Sequence, residues 1–205
     1  MTKKSISDSA AHLKSDPHLG DFIQRCGPIT HRRAHASGVF RSLAEAIIYQ
    51  QLSGKAADTI CRRFKALFPG KAFPKPDDVL KVQTTRLRGA GLSKQKVAYL
   101  KDLARKCTDG SIAPQKFPAM TDAEVIAHVT VVKGIGEWTA HMFLMFTLGR
   151  PDVLPTGDLA IQKGFKKLFG LKKMPTPERM HHLSKSWSGH RTLACFYLWR
   201  LLDEK

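Results

Sequence analysis

The chain has 205 residues, 42% of them hydrophobic and 25% charged, which excludes disorder as the reading and fits one domain, or two small lobes sharing a core, with no large accessory domain expected. Lys and Arg number 34 against 17 Asp and Glu, a formal charge of +17, and such an excess favours a polyanion as partner because each cation placed on a phosphate releases condensed counterions. No apolar run of about 18 residues occurs, and Met1 to Ala10 is polar without the apolar core of a signal peptide, so a nucleic-acid protein with no membrane partner is expected, cytoplasmic and nucleoid-associated in a bacterium or nuclear in a eukaryote.

Helical periodicity runs almost throughout, and no alternating stretch is long enough to support a sheet. Ser42-x-x-Glu45 reads as a capping box opening a helix with the apolar stripe Leu43, Ile47, Ile48. The stripe then meets Gln50 and Gln51, so this helix is expected to leave the core at its C-terminal end. Ala57, Ile60, Phe64, Leu67 and Phe68 mark a second helix, after which the stretch from Pro69 to Pro76 forces a loop. Ser93 to Cys107 is amphipathic through Val97, Leu100, Leu103 and Ala104. Thr121-x-x-Glu124 is a further capping box, and its helix ends at the turn Lys133-Gly134-Ile135-Gly136. The helix after that turn is apolar nearly all round, with Ala140, Phe143, Leu144 and Leu148 on one face and Trp138, Met142 and Met145 on another, which predicts a central position. Leu159 to Phe169, Thr176 to Lys185, and the run Leu193, Phe196, Tyr197, Leu201 complete an all-α reading.

Cys26, Cys61, Cys107 and Cys195 are scattered, so no Cys-x-x-Cys spacing can be drawn and no iron–sulfur cluster is expected; they read as small buried apolar residues in a reducing compartment. The turn around Gly134 and Gly136 is followed by a fresh helix N-terminus, where unpaired backbone N–H groups and the helix dipole make a phosphate site. Taken alone, Gly-x-Gly is also the mark of a plain inter-helix turn, and Asp158 in Leu154-Pro155-Thr156-Gly157-Asp158 is also that of an ordinary N-cap.

Hairpin, apolar helix, Leu-Pro and an Asp opening the next helix, in that order, resemble the helix-hairpin-helix (HhH-GPD) DNA glycosylase superfamily. Two further segments, Ala46-Ile47-Ile48-Tyr49-Gln50-Gln51-Leu52-Ser53-Gly54-Lys55-Ala56-Ala57 and Leu87-Arg88-Gly89-Ala90-Gly91-Leu92-Ser93-Lys94-Gln95-Lys96, resemble its alkylation-repair branch, the 3-methyladenine DNA glycosylase II proteins. The resemblance covers about Phe40 to the C-terminus. It implies a two-lobed helical fold with DNA bound in a cleft between the lobes, lobe one over about 38–145 and lobe two formed by 1–37 with 146–205. It also implies a monomer that acts on double-stranded DNA containing alkylated bases and needs no cofactor.

On this resemblance Asp158 is the catalytic carboxylate, Leu52 the wedge that fills the gap left by a flipped nucleotide, and Trp138, Met142 and His190 line the base pocket. Gly134, Gly136 and Thr139 would hold DNA phosphate, joined by Ser53, Gly54, Lys55 and Lys163. Relatives also hold a monovalent cation on hairpin carbonyls, here those of Thr130, Val132 and Ile135, as a structural Na+ or K+. Lyase relatives carry a lysine where this chain has Trp138, which implies a monofunctional enzyme using water. Met142 stands where some relatives have tyrosine, and His190 lies near a position often aromatic. The alternatives are a non-catalytic helix-hairpin-helix DNA-binding protein and a glycosylase for other damaged bases.

Overall fold

Several helix starts in this chain carry side chains that accept from the first-turn N–H groups, which have no partner inside the helix. Ser93 accepts from Lys96, Thr121 from Glu124, Asp158 from Ile161 and Thr176 from Arg179. The Thr121–Glu124 capping box forms in full, whereas Ser42 does not open a helix: that helix begins a turn earlier, after Gly38, and Glu45 pairs with Arg41 at 2.9 Å and Lys65 at 3.5 Å. Glu45 is thus drawn to two cations of its own surface and not to a backbone N–H.

The computed structural model describes residues 3–29 and 38–204, and only the backbone of residues 3–5. Among the described residues there is no strand, and no helix is long and apolar enough to cross a membrane. The α-helices are α1 (Lys3–Lys14), α2 (Gly20–Cys26), α3 (Val39–Tyr49), α4 (Gly54–Ala66), α5 (Pro76–Lys81), α6 (Thr84–Gly89), α7 (Lys94–Thr108), α8 (Asp122–Thr130), α9 (Glu137–Met142), α10 (Leu159–Leu168), α11 (Pro177–Leu183) and α12 (Arg191–Asp203). A π-helical stretch, Phe143–Leu148, continues α9. Helices α5 and α6 occupy ground where sequence periodicity marks none; each is six residues long, too short to show an apolar stripe, and Pro76 serves as the first residue of α5.

The described residues divide into two compact units, one of 38–143 and one of 3–29 with 144–204. In the first, α7 packs against α3 and α5, and Leu43, Ile47, Ile48, Phe64, Leu100 and Leu103 are wholly buried. In the second, α12 packs on α10 and α1 around Leu13, Ile161, Phe165, Trp187 and Leu198. Asp16, in the turn before α2, accepts from Trp187 Nε1 at 2.9 Å and Ser186 Oγ at 2.7 Å, tying that turn to the segment before α12.

The approach of α10 to α12 depends on Gly164. A Cβ built there would lie 2.9 Å from Leu198 Cβ and 3.3 Å from Leu198 O, atoms that cannot move without shifting α12. Forced overpacking costs about 1–3 kcal/mol, so Gly164→Val is expected to lower the melting temperature by on the order of 5 °C. Thermal denaturation followed by far-ultraviolet circular dichroism measures this, and an unchanged midpoint would contradict the close packing described.

Candidate functional site

In the unit of 38–143, the turn from α8 to α9 is closed by Val132 N–H donating to Val129 O (3.2 Å) and Ile135 N–H to Val132 O (3.0 Å). Gly134 takes φ +82°, and a Cβ there would run into the Tyr99 ring, so the position needs glycine on both counts. Gly136 is the N-cap of α9, which leaves the first N–H groups of that helix without a side-chain cap. The preceding residue is fixed from below: Asp102 accepts from Lys133 N–H at 2.9 Å and pairs with Lys106 Nζ at 2.8 Å. Burial opposes the charge on Asp102, but these two donors outweigh it and hold the carboxyl below its usual value.

The end of α3 is tied to this turn. Gln50 Nε2 donates to Gly134 O at 2.8 Å, and Lys96 Nζ donates to Ile48 O (2.7 Å) and Gln50 O (2.8 Å), capping the C-terminus of α3 with a cation. Burial alone pushes the Lys96 ammonium down from its ordinary pKa. Gln51 then takes φ +57°, an uncommon conformation for a residue with a side chain, and turns the chain so that Leu52 is 39% exposed. Ser53, Gly54 and Lys55 follow, all exposed at the start of α4, with the Ser53 side chain making no capping bond.

Trp138 is 50% exposed and Met142 half-buried, so the helix after the hairpin is not buried all round as its composition predicts; Ala140, Phe143, Leu144 and Met145 alone are core. The exposed side faces a cavity of about 650 Å³ lined by Tyr49, Gln50, Lys96 and Tyr99 and by Gly134, Gly136, Trp138, Thr139 and Met142. Thr139 is buried at 6% exposure and reaches solvent through that cavity. Tyr49 and Lys96 are lining residues without a role in the sequence reading. Lys96 carries a signal nonetheless, since it falls on the same helical face as Leu100 and Leu103 and a charge on a buried stripe needs partners. Tyr49 donates its hydroxyl to Asp58, and that bond, first among the causes, raises its pKa.

Asp158 belongs to the unit of 144–204. It is 7% exposed, sits at the N-cap of α10, and through Oδ1 accepts from Ile161 N–H at 2.8 Å and Trp199 Nε1–H at 3.3 Å. The loop before it is braced by Thr192, whose hydroxyl donates to Arg150 O (2.7 Å) and accepts from Val153 N–H (3.0 Å), and by the Arg191–Asp152 ion pair at 3.1 Å. Asp158 is therefore both an N-cap and a buried carboxylate held by two helices; capping alone would not require a donor from α12.

His190 lies in the same unit as Asp158 and packs on α1. Its Nδ1 is 2.9 Å from Ser9 Oγ and its ring 4.4 Å from that of His12. Burial and the adjacent His12 push its pKa down, against the opposing pull of Asp152 and Asp8. Lys163 is exposed on α10, whereas Lys167 donates to Leu201 O at 2.7 Å and Glu204 O at 3.2 Å and so caps α12. All four cysteines are free thiols; Cys61 and Cys195 are buried, but Cys26 and Cys107 are only half-buried.

The HhH-GPD model, described as that of the HhH-GPD superfamily base excision DNA repair proteins, matches residues 44–189. DNA-3-methyladenine glycosylase 1 of Schizosaccharomyces pombe is 37% identical over 163 residues, 78% of this chain and 71% of that protein. The structure of the Schizosaccharomyces pombe 3-methyladenine DNA glycosylase Mag1 in complex with abasic DNA superposes with a TM-score of 0.84 at 31% identity, over 96% of this chain and 97% of that one. A DNA-3-methyladenine glycosidase from Bacillus halodurans superposes with a TM-score of 0.85 at 35% identity, over 94% and 89% of the two chains. The chain belongs to the HhH-GPD superfamily of base excision DNA repair proteins.

Proposed function

We propose that this chain is a monofunctional DNA glycosylase that hydrolyses the N-glycosidic bond of alkylated purines, 3-methyladenine and 7-methylguanine among them, in double-stranded DNA, acting as a monomer and needing no cofactor. The observation that carries the reading is the buried carboxylate of Asp158, held by donors from α10 and α12 in a chain of this family. A protein that only bound DNA would have no use for it. The related proteins are named for 3-methyladenine, and one of them is bound to abasic DNA, the product of such a reaction.

Leu52 fills the space of the extruded nucleotide, as apolar wedges do. The turn at Gly134 and Gly136, with Thr139, Ser53, Gly54, Lys55 and Lys163, holds the phosphate backbone without reading sequence. The carbonyls of Thr130, Val132 and Ile135 are neutral hard oxygens suited to Na+ or K+, which would add positive charge at that turn; Val132 O keeps a second lone pair beside its bond from Ile135.

Trp138 and Met142, with Tyr49, form walls for the base, and His190 contributes through its packing on α1. A purine alkylated at N3 or N7 already carries positive charge. As the bond from C1′ to N9 breaks, its electron pair neutralises the leaving base, so no acid is needed to protonate it. Asp158 stabilises the positive charge on the sugar and orients the water that adds to C1′ and gives up a proton. The products are a free base and an abasic site. No lysine stands at position 138, so water and not an amine attacks.

Asp158→Asn keeps the N-cap bond and the shape but removes the charge, and it is expected to lower the single-turnover excision rate by on the order of 10² or more while leaving duplex binding within about twofold. Measured excision near the wild-type rate would overturn the mechanism and favour a binding protein. For the pocket, Trp138→Ala is expected to slow excision of cationic 7-methylguanine by roughly tenfold or more, since a desolvated cation–π contact is worth about 2 kcal/mol. Neutral hypoxanthine should lose a smaller factor. Single-turnover rates on both bases check this, and equal losses would assign Trp138 to pocket shape.

A further inference from the structure

Helix α3 ends at Tyr49, just before Leu52, and its last turn leaves carbonyls that no later N–H of the helix meets. Lys96 of α7 supplies donors to two carbonyls there, reaching Ile48 O at 2.7 Å and Gln50 O at 2.8 Å. We propose that Lys96 is a positioning residue for base extrusion: its ammonium holds the end of α3 in the conformation that presents Leu52, and it does not itself bind DNA. The inference rests on the proposed role of Leu52 as the wedge.

Gln51 is the residue through which the hold acts. Among the described residues it is the one non-glycine at positive φ, +57°, a conformation that is unfavourable for a residue with a side chain and persists only where the surroundings over-determine it. Those surroundings are the three bonds on Gln50. Its N–H donates to Ala46 O at 3.2 Å, its carbonyl accepts from Lys96, and its side-chain amide donates to Gly134 O at 2.8 Å. On the far side of Gln51 the hold is weaker, since Leu52 N–H lies 3.4 Å from Tyr49 O. The direction of Leu52 is therefore set from upstream. An ammonium suits this task, having three donors and a compact charge that opposes the negative end of a helix. Among the described residues Lys96 has no carboxylate partner, and burial lowers its pKa without an opposing charge nearby. A lysine placed to meet phosphate would escape that desolvation by standing in solvent, as Lys55 and Lys94 do.

The test is Lys96→Met, which keeps the length of the side chain and deletes every donor. Single-turnover excision of 7-methylguanine paired with cytosine is expected to fall on the order of tenfold, the scale of strain at one residue held in the left-handed region. Excision of the same base from a mismatched bubble, where extrusion is already easy, should stay within about twofold of wild type. Both rates are read on one preparation, so their ratio does not depend on the folded fraction. Affinity for undamaged duplex should keep its salt dependence, because no phosphate contact is lost. Lys96→Gln, whose shorter amide cannot reach both carbonyls, should shift the ratio the same way and supplies the measurement if Lys96→Met does not fold. Leu52→Ala should show the same selective loss, and adding Lys96→Met to it should cause no further selective loss, as expected when one residue acts through another. Equal losses on paired and bubble targets, a salt slope reduced by about one, or additive selective losses in the double variant would overturn the inference. Paired-target excision by Leu52→Ala at the wild-type rate would instead overturn the wedge role on which it rests.

Discussion

A carboxylate removed from water loses solvation that only hydrogen-bond donors can replace, and the cost of leaving it unpaired is several kcal/mol. Asp158 meets that constraint with donors from two helices, Ile161 N–H on α10 and Trp199 Nε1–H on α12. Much of the surrounding architecture follows from bringing those donors to one oxygen. The helices must approach closely, which Gly164 allows against Leu198. The loop that delivers Asp158 must be fixed relative to α12, which Thr192 does by bonding Arg150 O and Val153 N–H, and Arg191 by pairing with Asp152. The indole is stacked on the Phe146 and Phe196 rings.

The other unit answers a different constraint, that helix ends leave backbone groups without partners. At the end of α3 the orphan carbonyls of Ile48 and Gln50 are met by Lys96, an ammonium on a buried stripe, and Gln50 passes the connection on to Gly134 O. Leu52 and the hairpin are thereby parts of one hydrogen-bonded assembly, with Asp102 and Lys106 holding the hairpin from the α7 side. Under the proposed function, Leu52 mounted this way would not have to be ordered when DNA binds, which would reduce the entropy lost on association. The N-terminus of α9 is left without a side-chain cap.

What could be read in advance was what depends on neighbours along the chain. The Thr121 capping box, the stripe on α3, the glycine turn and the exposed end at Leu52 are local patterns, and the structure has them. The HhH-GPD family was legible for the same reason, because its motifs are short and ordered along the chain. Ser42 misled because a Ser-x-x-Glu spacing does not reveal that Arg41 and Lys65 would engage Glu45. Trp138 could not be placed from helical pattern, since an apolar face lining a cavity and an apolar face in a core have the same period. Trp199 lies about forty residues from the carboxylate it touches, Lys96 almost fifty from the carbonyl it caps, and Ser9 far from His190. No spacing rule connects such pairs; only the packed helices do.

The proposed reaction is hydrolysis by water of the bond between sugar and a cationic base, with the backbone left intact. The direct measurement is to incubate the wild-type protein with a duplex containing a single 7-methylguanine and to follow released base and strand integrity together by mass spectrometry. Free 7-methylguanine appearing in step with an intact-strand abasic site, with strand breakage only after alkali and no covalent adduct trapped by borohydride, is the result predicted. Bound DNA with no released base, or release accompanied by enzyme-dependent strand cleavage and a trapped adduct, would contradict it.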